Sequence, residues 1–95
     1  MLFIFARFEP KPGNERQLLE ELTLVIGLTR AEAGCVRIQL YESVRGPLTF
    51  FIHSEWVDED AFEAHGNMPH TLRFVDAVTE LIAHPFQALR TRLLG

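Results

Sequence analysis

Only one cysteine, Cys35, occurs among the 95 residues. No intramolecular disulfide can form, which fits a reducing cytoplasm. The expectation for Cys35 is a small buried hydrophobe, since no neighbouring cation pattern marks it as a nucleophile. No apolar run approaches the roughly 18 residues of a spanning helix. The opening MLFIFARFEP has no basic leader and is broken by Arg7, so it is expected to be a strand rather than a signal peptide. Basic charge is scarce: 9 Lys and Arg stand against 13 Asp and Glu, for a net charge of -4. That balance argues against a general affinity for nucleic acid phosphates or anionic membranes. The chain also lacks a GxGxxG or phosphate loop, a CxxC pair, an HExxH pair and a GxSxG elbow. Ordinary nucleotide, dithiol, zinc-hydrolase and serine-nucleophile chemistry therefore finds no support. Repeats, linkers and low-complexity tracts are missing too, so residues 1–95 are expected to form one domain.

What is present is apolar and strongly patterned. Hydrophobic residues make up 47% of the chain, too many for a disordered segment. Leu2 to Glu9 predicts a strand that stops at Pro10-Lys11-Pro12-Gly13. Asn14, with Gln17 at the third helical position, predicts an N-cap and a capping-box variant. Leu18, Leu22, Val25 and Thr29, flanked by Leu19 and Ile26, then predict an amphipathic helix over residues 14–31. Cys35 to Ser43 alternates Val36, Ile38 and Leu40 against Arg37, Gln39 and Tyr41, as a strand does. Arg45-Gly46-Pro47 predicts a turn into a hairpin partner, Leu48 to Trp56. Asp58 is placed to cap a short helix carrying Ala61, Phe62 and His65. Gly66-Asn67 interrupts it, and Pro69 opens a further helix with an expected buried stripe of Leu72, Val75, Val78 and Ile82. A last strand is expected within Phe86 to Leu94. The order β-α-β-β-α-β, with its second helix split, predicts an α+β ferredoxin-like domain: a four-stranded antiparallel sheet with helices on one face.

The strands carry large apolar groups on both faces. Leu2, Ile4, Ala6 and Phe8 alternate with Phe3, Phe5, Arg7 and Glu9, and Phe50, Ile52, Ser54 and Trp56 alternate with Phe51, His53 and Glu55. Helices cover only one face of such a sheet, and leaving the other in water is unfavourable. Sheet-against-sheet packing of two copies, a homodimer, is the economical solution.

Candidate site residues are few. His65 and His70 are five apart; in an unbroken helix they would diverge by well over a right angle, but Gly66-Asn67 leaves their relative orientation open. An imidazole at a helix end facing a cavity suits a general base, because it titrates near neutral pH. The plainer roles are a hydrogen-bonded structural histidine for His65 and a surface residue for His70. Trp56 is expected in the core, or as a flat wall for a planar substrate. Phe50 and Phe74 could shape the same pocket. Arg7 is expected to pair with Glu9, Glu55 or a partner carboxylate; the sharper alternative anchors a phenolate or carboxylate. No metal site is expected from His53, Glu55, His65 and His70, since their ligands would have to converge from opposite faces of the sheet. His84, before Pro85, reads as solvent-side.

The segments Thr29-Arg30-Ala31-Glu32-Ala33-Gly34-Cys35 and Glu55-Trp56 through Phe62, His65, Pro69-His70 and Phe74, together with the helix entry at Pro12-Gly13, resemble the antibiotic biosynthesis monooxygenase family. The resemblance implies a dimeric α+β barrel and raises His65, since many members have a histidine at this place after the tryptophan. It also implies a monooxygenase that works without flavin, haem or metal on a quinol, anthrone or similar phenolic compound. Such a substrate, once deprotonated, passes an electron to dioxygen itself, while the protein supplies a dry pocket, orientation and a base, here His65 with His70 as helper. The family's haem-degrading branch differs: Arg7, His65 and a position near Val75 stand where it has an asparagine, a tryptophan and the haem-ligating histidine. The alternatives are a non-catalytic dimer binding a small hydrophobic ligand and, more remotely, an isomerase of a small polar metabolite or a haem-degrading relative.

Overall fold

The computed structural model describes all residues from Met1 to Gly95. Its elements run β1 (Leu2–Phe8), α1 (Glu15–Thr29), β2 (Cys35–Glu42), β3 (Phe50–Trp56), α2 (Glu59–Gly66), α3 (Pro69–Thr79) and β4 (Ala88–Thr91). The four strands form one sheet in the order β2-β3-β1-β4, with every pair antiparallel. This is the expected ferredoxin-like α+β arrangement with a split second helix. No helix is long and apolar enough to cross a membrane.

Strand alternation sets the two faces as the sequence predicts. Leu2, Ile4, Ala6 and Phe8 of β1, and Phe50, Ile52, Ser54 and Trp56 of β3, are buried beneath the helices. A cluster of 13 buried residues, including Phe8, Leu18, Leu22, Phe50, Phe74 and Val78, forms the main core. Leu2, Ile4 and Trp56 make a separate small core, with Cys35, Ala61 and Phe62 packed against it. The other face of the sheet has no helix on it and leaves Phe5, Tyr41, Phe51 and Leu89 exposed.

Several local expectations shift. Asn14 occupies the N-cap of α1 without a side-chain hydrogen bond; instead the Glu15 carboxylate accepts from the Gly13 amide at 2.9 Å. Of the two residues flanking the α1 stripe, Ile26 is buried as expected and Leu19 is exposed. A register shift between Cys35 and Arg37 removes Val36 from the ladder and exposes it, so only Ile38 and Leu40 of the expected inner row face the helices. In α3 the buried stripe is Thr71, Phe74 and Val78, while Leu72 and Val75 are exposed. Both stripes fit a helical period; the helix rotates so that the larger Phe74 ring is buried against Phe8 and Phe86. The third and fourth strands are shorter than expected, beginning at Phe50 and ending at Thr91.

Candidate functional site

Three chain segments meet beside Trp56. The first is the turn after α1. The Glu32 amide donates to the Thr29 carbonyl at 3.0 Å, and the Cys35 amide donates to the Glu32 carbonyl at 3.1 Å, which fixes the backbone around Glu32. Gly34 lets this turn lie close against α2: a Cβ at Gly34 would collide with the Ala61 Cβ. The second segment is α2. Its N-cap Asp58 accepts from the Ala61 amide at 2.8 Å, and one helical run later His65 lies in the last turn. The third begins at Met68, whose amide donates to the His65 carbonyl at 3.2 Å. Pro69 at the start of α3 then places His70 in the first turn.

The break between the helices redirects the chain so that both histidines point at one acid. His65 Nδ1 and His70 Nε2 each lie 2.7 Å from Glu32 Oε2. The side chains are 15% exposed for both histidines and 9% for Glu32, so the cluster is shielded yet reaches the surface at its rim. An ionised carboxylate only accepts hydrogen bonds. The hydrogen-bond partners therefore assign the ring protons to His65 Nδ1 and His70 Nε2. Neutral rings then carry their lone pairs on His65 Nε2 and His70 Nδ1, the nitrogens turned away from Glu32. Thr71 Oγ1 lies 3.3 Å from His65 Nδ1 as a secondary acceptor. The arrangement holds two imidazoles in a defined tautomer and orientation, as a general base requires. The same three ligand atoms lie within 4.8 Å of one another, so this is also where the chain could hold a metal ion.

Aromatic rings bound one side of His65. The Trp56 ring centre is 4.7 Å away and that of Phe62 is 5.7 Å away. Trp56 is 1% exposed, and its Nε1–H donates to Ser54 Oγ at 2.9 Å. Trp56, His65 and His70 are thus brought together. Phe50 and Phe74 are not part of this group; they fill the main core. Arg7 stands on the opposite face of the sheet, with a side chain 65% exposed and paired to Glu9 at 3.0 Å, the plainer of its two expected roles. His53 is on that face as well, against Phe3 and Phe5. Glu55 lies there at 4.0 Å from Arg37, and exposed His84 faces Glu9 at 3.2 Å.

A concavity of about 950 Å³ also lies on this open face, lined by Phe5, Arg7, Tyr41, Phe51, His53 and Leu89 among others. It is separated from the imidazole cluster by the sheet. Size favours the concavity and chemistry favours the cluster. The cluster is the better catalytic candidate, because it holds two oriented imidazoles on one carboxylate. Beside the cluster, burial and then the Glu32 charge push the Cys35 thiol above its ordinary range, away from nucleophilic reactivity.

Glu32 is the site residue that the local pattern did not single out. It is one acid among 13 Asp and Glu, and its partners lie 33 and 38 residues away. The only sequence signal was its place in the Thr29–Cys35 segment.

Comparison with known proteins places these features in a wider group. The family model described as antibiotic biosynthesis monooxygenase matches residues 1–77. A Bacillus subtilis protein named "Putative monooxygenase YcnE" is 31% identical over 93 residues, covering 98% of each chain. The Mycobacterium tuberculosis protein "Putative monooxygenase Rv0793" is 34% identical over 82 residues, 86% of this chain and 80% of that one. The solved structure of Rv0793 superposes with a TM-score of 0.93 over 99% of this chain and 95% of its own, at 31% identity. That of PA3566 from Pseudomonas aeruginosa gives a TM-score of 0.90 at 29% identity, over 99% and 94%.

Proposed function

Because the chain belongs to the antibiotic biosynthesis monooxygenase family, we propose that it oxidises a quinol, anthrone or similar phenolic compound with dioxygen, without flavin, haem or metal. The relatives named as monooxygenases support the reaction class, and the Glu32-held pair of imidazoles beside Trp56 carries the reading. His65 Nε2 takes the phenolic proton, or the acidic methylene C–H proton of an anthrone, and Glu32 stabilises the resulting imidazolium through Nδ1–H. The phenolate, or the enolate of an anthrone, is then electron-rich enough to give an electron to dioxygen. Recombination forms a carbon–oxygen bond; one oxygen atom stays in the product as a carbonyl and the other leaves as water. Trp56 and Phe62 bound the aromatic side of this site, and His70, on the same carboxylate, assists or substitutes.

Two copies packed through their open sheet faces complete the molecule in this reading. The exposed Phe5, Tyr41, Phe51 and Leu89 give that face the apolar character of an obligate interface. A cytoplasmic setting keeps the lone thiol reduced. The rival function, a non-catalytic dimer that binds a hydrophobic ligand, draws on the open-face concavity.

An oxygen electrode with a panel of quinols and anthrones separates the two. A catalyst consumes oxygen with substrate, and His65→Gln lowers kcat/KM by roughly two orders of magnitude, as loss of a positioned base does. His70→Gln run alongside tells which imidazole is the base. Ligand-induced thermal stabilisation with no oxygen uptake from any substrate would leave the binding function in its place.

A further inference from the structure

The cluster has the composition of a metal-ion site as well as that of a hydrogen-bonded base. His65 Nδ1, His70 Nε2 and Glu32 Oε2 come from three different segments and lie within 4.8 Å of one another. Two of the three separations are 2.7 Å. An ion bound at about 2.0–2.2 Å from such atoms holds its ligands roughly 3.0–3.5 Å apart, so these side chains need only small adjustments to admit one. Two imidazoles and one carboxylate are borderline nitrogen and hard oxygen donors. That set favours first-row ions such as zinc, cobalt or nickel over calcium and magnesium, which prefer all-oxygen shells. Three protein ligands leave at least one position for water.

We propose that Glu32, His65 and His70 form a binding site for a divalent transition-metal ion, which exchanges with the Glu32-centred hydrogen bonds. Each neutral ring keeps its single proton during the exchange. Coordination through His65 Nδ1 moves that proton to Nε2, and coordination through His70 Nε2 moves it to Nδ1. No redox change is involved. Metal binding and base function are therefore mutually exclusive, because a metal-loaded His65 has no lone pair left to receive a substrate proton. This last consequence rests on the oxygenase reading, whereas the binding itself does not.

The test is titration of the chelator-treated, full-length protein with cobalt(II), followed through its visible ligand-field bands, then displacement with zinc(II). Expected are one ion per chain and the stronger bands of a low-coordinate nitrogen and oxygen site. Glu32→Gln and His70→Gln should each weaken uptake by about tenfold or more, given that even outer partners of a metal site cost 10–100-fold. His53→Gln and His84→Gln, far from the cluster, should leave uptake unchanged. Circular dichroism confirms that each variant is folded; if Glu32→Gln does not fold, His70→Gln and His70→Ala decide the matter. No uptake by the parent at millimolar ion overturns the site, and so does uptake that survives the cluster variants or is lost in the distant ones. Oxygen consumption without metal uptake overturns the metal site alone. Metal uptake by a protein whose metal-free form oxidises no phenol overturns the oxygenase reading alone.

Discussion

Adding one methyl group at Gly34 should disturb the site without touching any of its polar atoms. A Cβ built there meets the Ala61 Cβ far inside contact distance, with Val57 Cγ2 at 3.6 Å. Gly34 is not among the glycines with positive φ, so its backbone suits alanine and the cost is one of space. The obstructing methyl is fixed to the first turn of α2 and cannot swing aside, so either the turn or the helix must move. Overpacking of this kind costs about 1–3 kcal/mol. For a domain of this size that is a fall of roughly 4–24 °C in Tm. Ala61→Gly removes the other methyl, itself at about 1 kcal/mol for glycine in a helix. The double variant should nonetheless be more stable than the sum of the two single changes implies, by about 1–2 kcal/mol of coupling. Urea unfolding of the parent, both single variants and the double variant measures this directly. Because the same shift carries α2, and His65 with it, away from Glu32, Gly34→Ala should also lose the proposed oxygen-uptake activity, and Ala61→Gly should restore it in part. A Gly34→Ala protein within about 0.5 kcal/mol of the parent, or strictly additive effects, would refute the close approach of turn and helix.

Three further outcomes are expected. Ser54→Ala strands the buried Trp56 Nε1–H and should cost about 1–3 kcal/mol in chemical denaturation, the desolvation penalty of an unpaired donor; an unchanged midpoint would mean that the indole finds another partner. The protein at micromolar concentration should sediment at twice the monomer mass, and Leu89→Glu on the open face should shift it toward monomer, whereas a monomeric parent would end the sheet-on-sheet packing. Cys35 should react with thiol reagents more slowly than a free cysteine at neutral pH. Burial and then Glu32 raise its pKa, so the reactive thiolate appears only at higher pH, and Glu32→Gln should move that rise to lower pH. Labelling at the rate of an exposed cysteine would contradict that environment.

The elements of this protein were legible because each is written in a local period. Alternation in Leu2–Phe8 and Phe50–Trp56 sorts their residues onto two faces whatever the rest of the chain does, and Asp58 and Pro69 mark helix starts through backbone chemistry within one turn. The two-sided apolar pattern likewise showed that one sheet face would lack a helical cover. Which of two equally periodic stripes in α3 would be buried was not local: it depended on the space left against the Phe8–Phe86 pair for the Phe74 ring. The bulge at Val36 was equally hidden, since alternation in one strand says nothing about its register with the next.

The site divides in the same way. Sequence alone nominated His65, His70 and Trp56, because their residue types and their places at element ends suit a base and an aromatic wall. The direction of the two imidazoles lay in the Gly66–Met68 break, where no period constrains the chain. Their common partner, Glu32, is separated from His65 by a strand pair, and from His70 by that pair and α2. Only packing of the Gly34 turn against Ala61 brings that carboxylate to both rings, and packing over such sequence distances depends on the whole set of tertiary contacts. Arg7 shows the converse. Its strand position was evident, but only the assembled sheet placed it on the opposite face from His65 and His70, because a sheet separates what a linear sequence sets among the same aromatic neighbours.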